Sequence, residues 1–151
     1  MFEVFTPQTD LELERYYDLR WRILRAPWGQ PRGSERDEYE DGADHVAVRD
    51  LTGRLVGVGR LHLNSRHEAQ IRYMAVEPAW RNRGVGRLMV ARLEALARER
   101  GTIHIILNAR EEVAAFYQRL GYRVLAQGPT LFGEIKHVRM GKDLPWDRPE
   151  I

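Results

Sequence analysis

The stretch best suited to chemistry runs from Ile71 to Leu88 and reads IRYMAVEPAWRNRGVGRL. Within it, Arg81, Asn82, Arg83, Gly84, Val85, Gly86 and Arg87 form a basic, glycine-bearing loop between a strand pattern and a helix pattern. Such a loop suits an anion. The first N–H groups of a helix have no internal partner, and the aligned peptide dipoles favour negative charge there. Gly84 and Gly86 lack Cβ atoms, so a phosphate can come close to the backbone. Arg81, Arg83 and Arg87 add charge and paired donors. Two familiar phosphate motifs are excluded: a dinucleotide fingerprint needs a third glycine where Met89 stands, and a Walker loop needs Gly-Lys-Ser/Thr, which does not occur.

A second segment, residues 27–45, has no apolar period and reads as a loop with room for one helical turn. Its six acids (Glu35, Asp37, Glu38, Glu40, Asp41 and Asp44) face two bases, Arg32 and Arg36, for a net charge of −4. Two readings stay open. The loop walls an acceptor site and draws in a cationic amine, with Asp41 and Asp44 among the attracting groups, or it is a solvated connection. No pair of histidines has metal-ligand spacing, so no metal is expected.

The elements that must hold these segments are readable from period and punctuation. Phe2 to Phe5 alternates as a short strand. Thr9 and Glu12 have capping-box spacing, and an apolar stripe follows to about Arg25, where Pro27 and Gly29 end the helix. Strands are expected at His45 to Val48, Leu55 to Leu63 and Glu68 to Val76, as an antiparallel meander. Gly57 and Gly59 weaken the second of these and suggest close approach by another group. A helix from about Gly84 buries Val85, Leu88, Met89, Leu93, Leu96 and Ala97, turns Arg87, Glu94, Arg98 and Arg100 to water, and ends at Gly101. Ile103 to Leu107 is a nearly continuous apolar strand, and strand–helix–strand implies a right-handed parallel crossover, so the sheet is mixed α/β. Asn108 to Arg110 reads as a loop. Glu111 and Glu112 open a short helix with the stripe Val113, Phe116, Tyr117 and Leu120. Tyr122 to Ala126 and Gly133 to Met140 read as a closing antiparallel pair joined through Gln127-Gly128-Pro129, and Lys142 to Ile151 as an irregular tail.

The chain has 151 residues, 43% hydrophobic and 30% charged, a net charge of +2 and a pI near 9.1, which suits one domain spanning 1–151. No cysteine is present, so disulfides and cysteine metal sites are excluded, and this fits a reducing cytoplasmic location. No basic-then-apolar leader is seen, and no apolar run reaches the roughly 18 residues that span a bilayer. The basic pI alone does not argue for nucleic acid, because 22 of the 24 basic residues are scattered arginines.

Arg-x-x-Gly-x-Gly after a strand ending in Val76, then NAREEVAAFYQRLGY from Asn108 to Tyr122, resembles the two signatures of the GNAT acetyltransferase superfamily. Tyr122 takes the place of the usual closing Phe. The likeness covers nearly the whole chain and includes the order of elements. The ending from Glu134 to Met140, with His137 and Met140, resembles the small bacterial ElaA-like branch. The resemblance implies a sheet of six to seven mostly antiparallel strands with helices on both faces and a central parallel pair splayed to admit coenzyme A. It implies that Met74, Ala75 and Val76 run beside the pantetheine arm and that Arg81 to Arg87 hold the pyrophosphate of acetyl-CoA. Asn108, Ala115 and Phe116 would touch the arm and thioester. Val76 N–H would steady the oxyanion, and Tyr117 would protonate the leaving thiolate. The acceptor implied is a small-molecule or peptide amine, with edge strands available for a homodimer. The base is not evident: the family's acid on the fourth strand is replaced near Gln70, Glu68 lies farther out, and His137, Glu134 or a water is left to serve. That replacement motivates an alternative, a coenzyme A-binding module without catalysis.

Overall fold

A computed structural model of the protein describes residues 1–145; the last part of the expected irregular tail, residues 146–151, lies outside them. Seven strands form one sheet: β1 (Phe2–Phe5), β2 (Asp44–Asp50), β3 (Leu55–Leu63), β4 (Glu68–Val76), β5 (His104–Arg110), β6 (Arg123–Leu131) and β7 (Ile135–Asp143). Their order is β1-β2-β3-β4-β5-β7-β6. All neighbours are antiparallel except β4 and β5. That parallel ladder runs only from Glu68 opposite His104 to Ile71 opposite Leu107. Beyond it the two strands part, leaving Arg72 to Val76 facing a gap.

Helix α1 (Asp10–Leu24) begins with the expected capping box: Glu12 N–H donates to Thr9 Oγ1 at 3.1 Å, and Thr9 N–H donates to Glu12 Oε1 at 3.1 Å. Its Tyr16 and Leu19 pack on Ala47, Val58 and Ala75 on one face of the sheet. Helix α2 (Val85–Glu99) covers the other face with Val85, Met89, Val90 and Leu93 against Val56, Ile71, Ile105 and Leu107. Each such buried aliphatic contributes on the order of 1.5–3 kcal/mol. The short helix α3 (Ala114–Arg119) drops Tyr117 into the same core.

The two glycines of β3 are explained by what approaches them. A Cβ on Gly57 would lie 2.7 Å from Val85 Cγ1, and one on Gly59 would lie 2.6 Å from Met74 Sδ. Gly59 sits opposite an irregularity in the β3–β4 pairing, where β4 carries an extra residue and Tyr73 takes φ 59°.

Four expectations are corrected. Asn108, Ala109 and Arg110 are strand, held by pairing with Arg139, Val138 and His137 of β7. The β6–β7 turn lies at Phe132 to Glu134, where φ is positive at Phe132 and Gly133, whereas Gln127 to Pro129 stay in bulged β6. Proline is tolerated there because β6 is an edge strand. Lys142 and Asp143 belong to β7. On α2, Leu88 is 38% exposed while Glu94 is buried, accepting from Tyr122 Oη at 2.9 Å and from Lys142 Nζ at 3.1 Å. Helical period turned Glu94 to water because it could not supply its partners, Tyr122 and Lys142, which come from distant parts of the chain.

Candidate active site

The gap between β4 and β5 gathers most of the expected site residues. Glu77 N–H donates to Val56 carbonyl at 2.9 Å. Gly57 and Val76 therefore oppose each other as a non-hydrogen-bonded pair, and the N–H and C=O of Val76 point away from β3, into the gap. Val85 rests on Gly57, so the start of α2 is fixed beside this strand end. Asn82 takes φ 62° and Gly84 φ 87°, which turns the chain into the helix. Gly84 is the N-cap and provides no side-chain acceptor. Among the described residues, the amides from Asn82 to Arg87 find no acceptor, while Leu88 N–H already bonds back to Gly84 carbonyl at 3.1 Å. Arg81, Arg83 and Arg87 are exposed around them.

The far side of the gap is built by β5 and α3. Asn108 is exposed at the first position past the end of the β4–β5 ladder. Phe116 reaches back so that its ring lies 3.0 Å from where a Gly86 Cβ would stand. Ala115 beside it is exposed. Tyr117 meets Phe116 edge to face at 5.0 Å and Tyr122 at 5.8 Å. Burial raises the Tyr117 pKa above the ordinary phenol value, with no charged neighbour opposing it. This donor set fits coenzyme A: unpaired amides and arginines for phosphates, a free strand edge for an amide-bearing arm, and an aromatic side wall.

On the α1 face, His137 is 9% exposed and its Nδ1 donates to Ile135 carbonyl at 2.9 Å, which leaves the lone pair on Nε2. Glu134 is exposed beside a hollow of about 250 Å³ lined by Trp28, Arg110, Glu111, Glu112 and Lys136. Gln70 accepts from Asn64 Nδ2 at 2.9 Å, at the end of a chain running back through His62 to Arg60. Met74 is half-buried against Gly59, and Ala75 is buried under α1. Asp41 is exposed. Asp44 is paired with Arg100 at 2.7 Å, past the C-terminal end of α2. A fifteen-residue helix is about 22 Å long, so this pair is not brought together with the gap at the other helix end.

Sequence reasoning missed a lattice of arginines beneath the acidic loop. Arg20 and Arg60 are fully buried. Glu40 binds Arg20 at 2.9 Å and Arg60 at 2.5 Å, and Asp37 binds Arg60 at 2.6 Å and Arg72 at 2.9 Å. Burial alone would raise the Asp37 pKa, but hydrogen bonds from Arg60 and Tyr39 N–H and the charges of Arg60 and Arg72 hold it well below the carboxylate range. The loop's central acids are thus engaged by the protein's own cations. One signal was available: Arg20 lies within the apolar stripe of α1 and Arg60 between apolar strand residues.

The family model described as the acetyltransferase (GNAT) family matches residues 13–122. YjcF of Bacillus subtilis, named as an uncharacterised N-acetyltransferase, is 34% identical over 132 residues, covering 87% of this chain and 93% of that one. The chain belongs to the GNAT acetyltransferase family. Among solved structures, an aminoglycoside 6'-N-acetyltransferase complexed with coenzyme A superposes with a TM-score of 0.79 at 20% identity, over 99% of both chains. ElaA of Escherichia coli superposes with a TM-score of 0.76 at 18% identity, over 94% of this chain and 98% of its own, a likeness of fold that assigns no branch.

Proposed function

We propose that the protein is an N-acetyltransferase that moves the acetyl group of acetyl-CoA to a primary amine by direct attack. The observation that carries this reading is the run of unpaired amides from Asn82 to Arg87 set beside the outward-facing N–H of Val76. Amides of this run and Arg81, Arg83 and Arg87 would hold the pyrophosphate, the edge from Met74 to Val76 would align the pantetheine arm, and Asn108, Ala115 and Phe116 would close the other side. Acetyl-CoA supplies an activated acyl carbon as a thioester. Transfer exchanges a carbon–sulfur bond for a carbon–nitrogen bond, removes one proton from the amine and returns one to the thiolate.

Each proton then has a carrier among this chain's residues. Val76 N–H donates to the carbonyl oxygen as charge collects there. Tyr117 holds its proton at neutral pH and gives it to the departing sulfur. His137, with its lone pair fixed on Nε2, takes the proton from the amine. Glu134 and Gln70 contact the acceptor. Asp41 and Asp44 are not included, since Asp44 is held by Arg100 and Asp41 lies on the loop just before it. No described helix is long and apolar enough to cross a membrane.

Calorimetric titration with acetyl-CoA tests the reading, using the native chain, Gly84→Asp and Gly86→Asp. Binding in the micromolar range by the native chain, lost in both variants, is expected, because each carboxylate enters the anion site and the second also meets Phe116. No binding by folded native protein would overturn it.

A further inference from the structure

We propose that Arg25 binds an oxyanion carried by the acceptor itself, so that the acceptor is an amine that also bears a carboxylate or a phosphate. This rests on the acetyltransferase reading above. Four guanidiniums surround the ring of Tyr73: Arg20 at 4.4 Å, Arg72 at 4.5 Å, Arg60 at 4.9 Å and Arg25 at 5.5 Å from its centroid. The carboxylates that pair with them are Asp37 and Glu40. Four positive charges against two negative ones leave two uncompensated.

Arg20, Arg60 and Arg72 share those two carboxylates, and Arg25 pairs with neither. Its Nε donates to Ser34 carbonyl at 3.1 Å and its Nη1 to Leu24 carbonyl at 3.0 Å. No described carboxylate pairs with it; besides those two carbonyls its polar neighbour is the Tyr73 hydroxyl, and a guanidinium without a carboxylate partner presents donors that match an oxyanion with two oxygens. A half-buried cation without a counter-ion is costly to the fold. Folding does not require that cost, and a bound anion would remove it.

Its position is that of the acceptor. Tyr73 lies on β4 two residues past the end of the ladder with β5, on the face opposite α2. Arg25 also lies 5.5 Å from the ring of Phe132 in the β6–β7 turn. Arg25 therefore bridges the two banks of the gap on the α1 side. Among the described residues, Tyr73 and Phe132 are two of the three non-glycine residues with positive φ, and the third, Asn82, stands in the glycine loop. Strained residues of this kind persist where the surrounding structure holds a site in shape. Glu134, in the same turn, offers the opposite charge for the ammonium end of such an acceptor.

The test is steady-state release of coenzyme A thiol with three matched sets: amino acids and dipeptides, their carboxamides or decarboxylated amines, and aminoalkyl phosphates. Native protein, Arg25→Gln and Arg25→Lys are compared, and acetyl-CoA binding is titrated in each. Oxyanion-bearing amines should exceed their neutral counterparts in kcat/KM by about tenfold or more. Arg25→Gln should raise KM for them by about 10- to 100-fold while leaving KM for the neutral amines and acetyl-CoA affinity in place, with partial recovery in Arg25→Lys. The carboxylate and phosphate sets then identify which oxyanion is recognised. Equal losses for charged and neutral acceptors would make Arg25 a structural tie, and a preference for neutral or polycationic amines, or no turnover of any oxyanion-bearing amine, would equally overturn the assignment. Retained acetyl-CoA binding in those cases separates this failure from failure of the acetyltransferase reading.

Discussion

Val85 rests on Gly57: the Cβ that Gly57 lacks would stand 2.7 Å from Val85 Cγ1. Because Gly57 opposes Val76, this contact fixes the start of α2 relative to the strand end whose N–H enters the gap. Val85 is β-branched and stiff at χ1, so the helix must move if the space is filled. Gly57→Ala should therefore cost about 1–3 kcal/mol, the usual range for overpacking. It should also weaken acetyl-CoA binding several-fold without touching any ligand-contacting side chain. Urea unfolding and calorimetric titration read the two effects, and a stability loss with unchanged affinity would show that helix placement does not control the anion site.

Asp37 holds together the lattice under the acidic loop. Arg60 is fully buried, and Asp37→Asn leaves it with Glu40 as its one carboxylate partner. Removing one partner of a buried pair is expected to cost on the order of 3 kcal/mol. The pH dependence has a definite sign. The folded-state pKa of Asp37 is depressed, so its stabilisation is fully present above the unfolded value of about 3.8 and is lost progressively as pH falls from there through the lower folded value. Native and Asp37→Asn stabilities, followed by denaturant unfolding, should differ most near neutral pH and begin to converge as pH falls below about 4. A constant difference across that range would remove the ion pairs as its cause.

Thr9→Ala provides a contrast far from the gap. The capping box satisfies two amides at the start of α1, and its loss should lower stability by about 1 kcal/mol. Thermal unfolding should register this, while acetyl-CoA affinity and turnover stay at native values. A drop in turnover would mean that α1 end-fraying reaches the acceptor side.

What could be read from the chain beforehand follows the range of the interactions involved. The capping box and the glycine loop are local, and each is present where spacing placed it; the period of α2 placed the helix but misassigned Leu88 and Glu94. The bounds of β3 and β4 were legible because turn residues flank alternating runs. Asn108 to Arg110 were not legible as strand, since what holds them is a distant partner, β7. Glu94 failed for the same reason: its burial depends on Tyr122 and Lys142, both from the other end of the chain. The acidic loop was seen, but its meaning was not, because six acids in a row of residues do not reveal that Arg20, Arg60 and Arg72 lie beneath two of them. The strained Tyr73 had no local signal at all, as a bulge is a property of two strands rather than one.

Tyr117 gives the sharpest chemical prediction. Its position on α3 was readable as an aromatic on a buried stripe, and it does pack in the core, so a purely structural role and an acid role compete. Phenylalanine keeps the ring and the packing and removes only the hydroxyl. Tyr117→Phe should fold normally, keep its KM for acetyl-CoA and lose kcat by about a hundredfold or more, within the range of a positioned proton donor. The pH profile adds a second readout. Burial raises the Tyr117 pKa above 10, so the hydroxyl stays protonated through the alkaline range, and native kcat should not fall between about pH 8 and pH 10 on its account. Stability carries the same sign. A pKa raised in the folded state gives stabilisation that is complete below the unfolded value near 10 and declines as pH rises through the folded value, and the Phe variant should lack that decline. If Tyr117→Phe turns over at the native rate, the hydroxyl is not the acid, and protonation of the thiolate must come from solvent admitted through the gap.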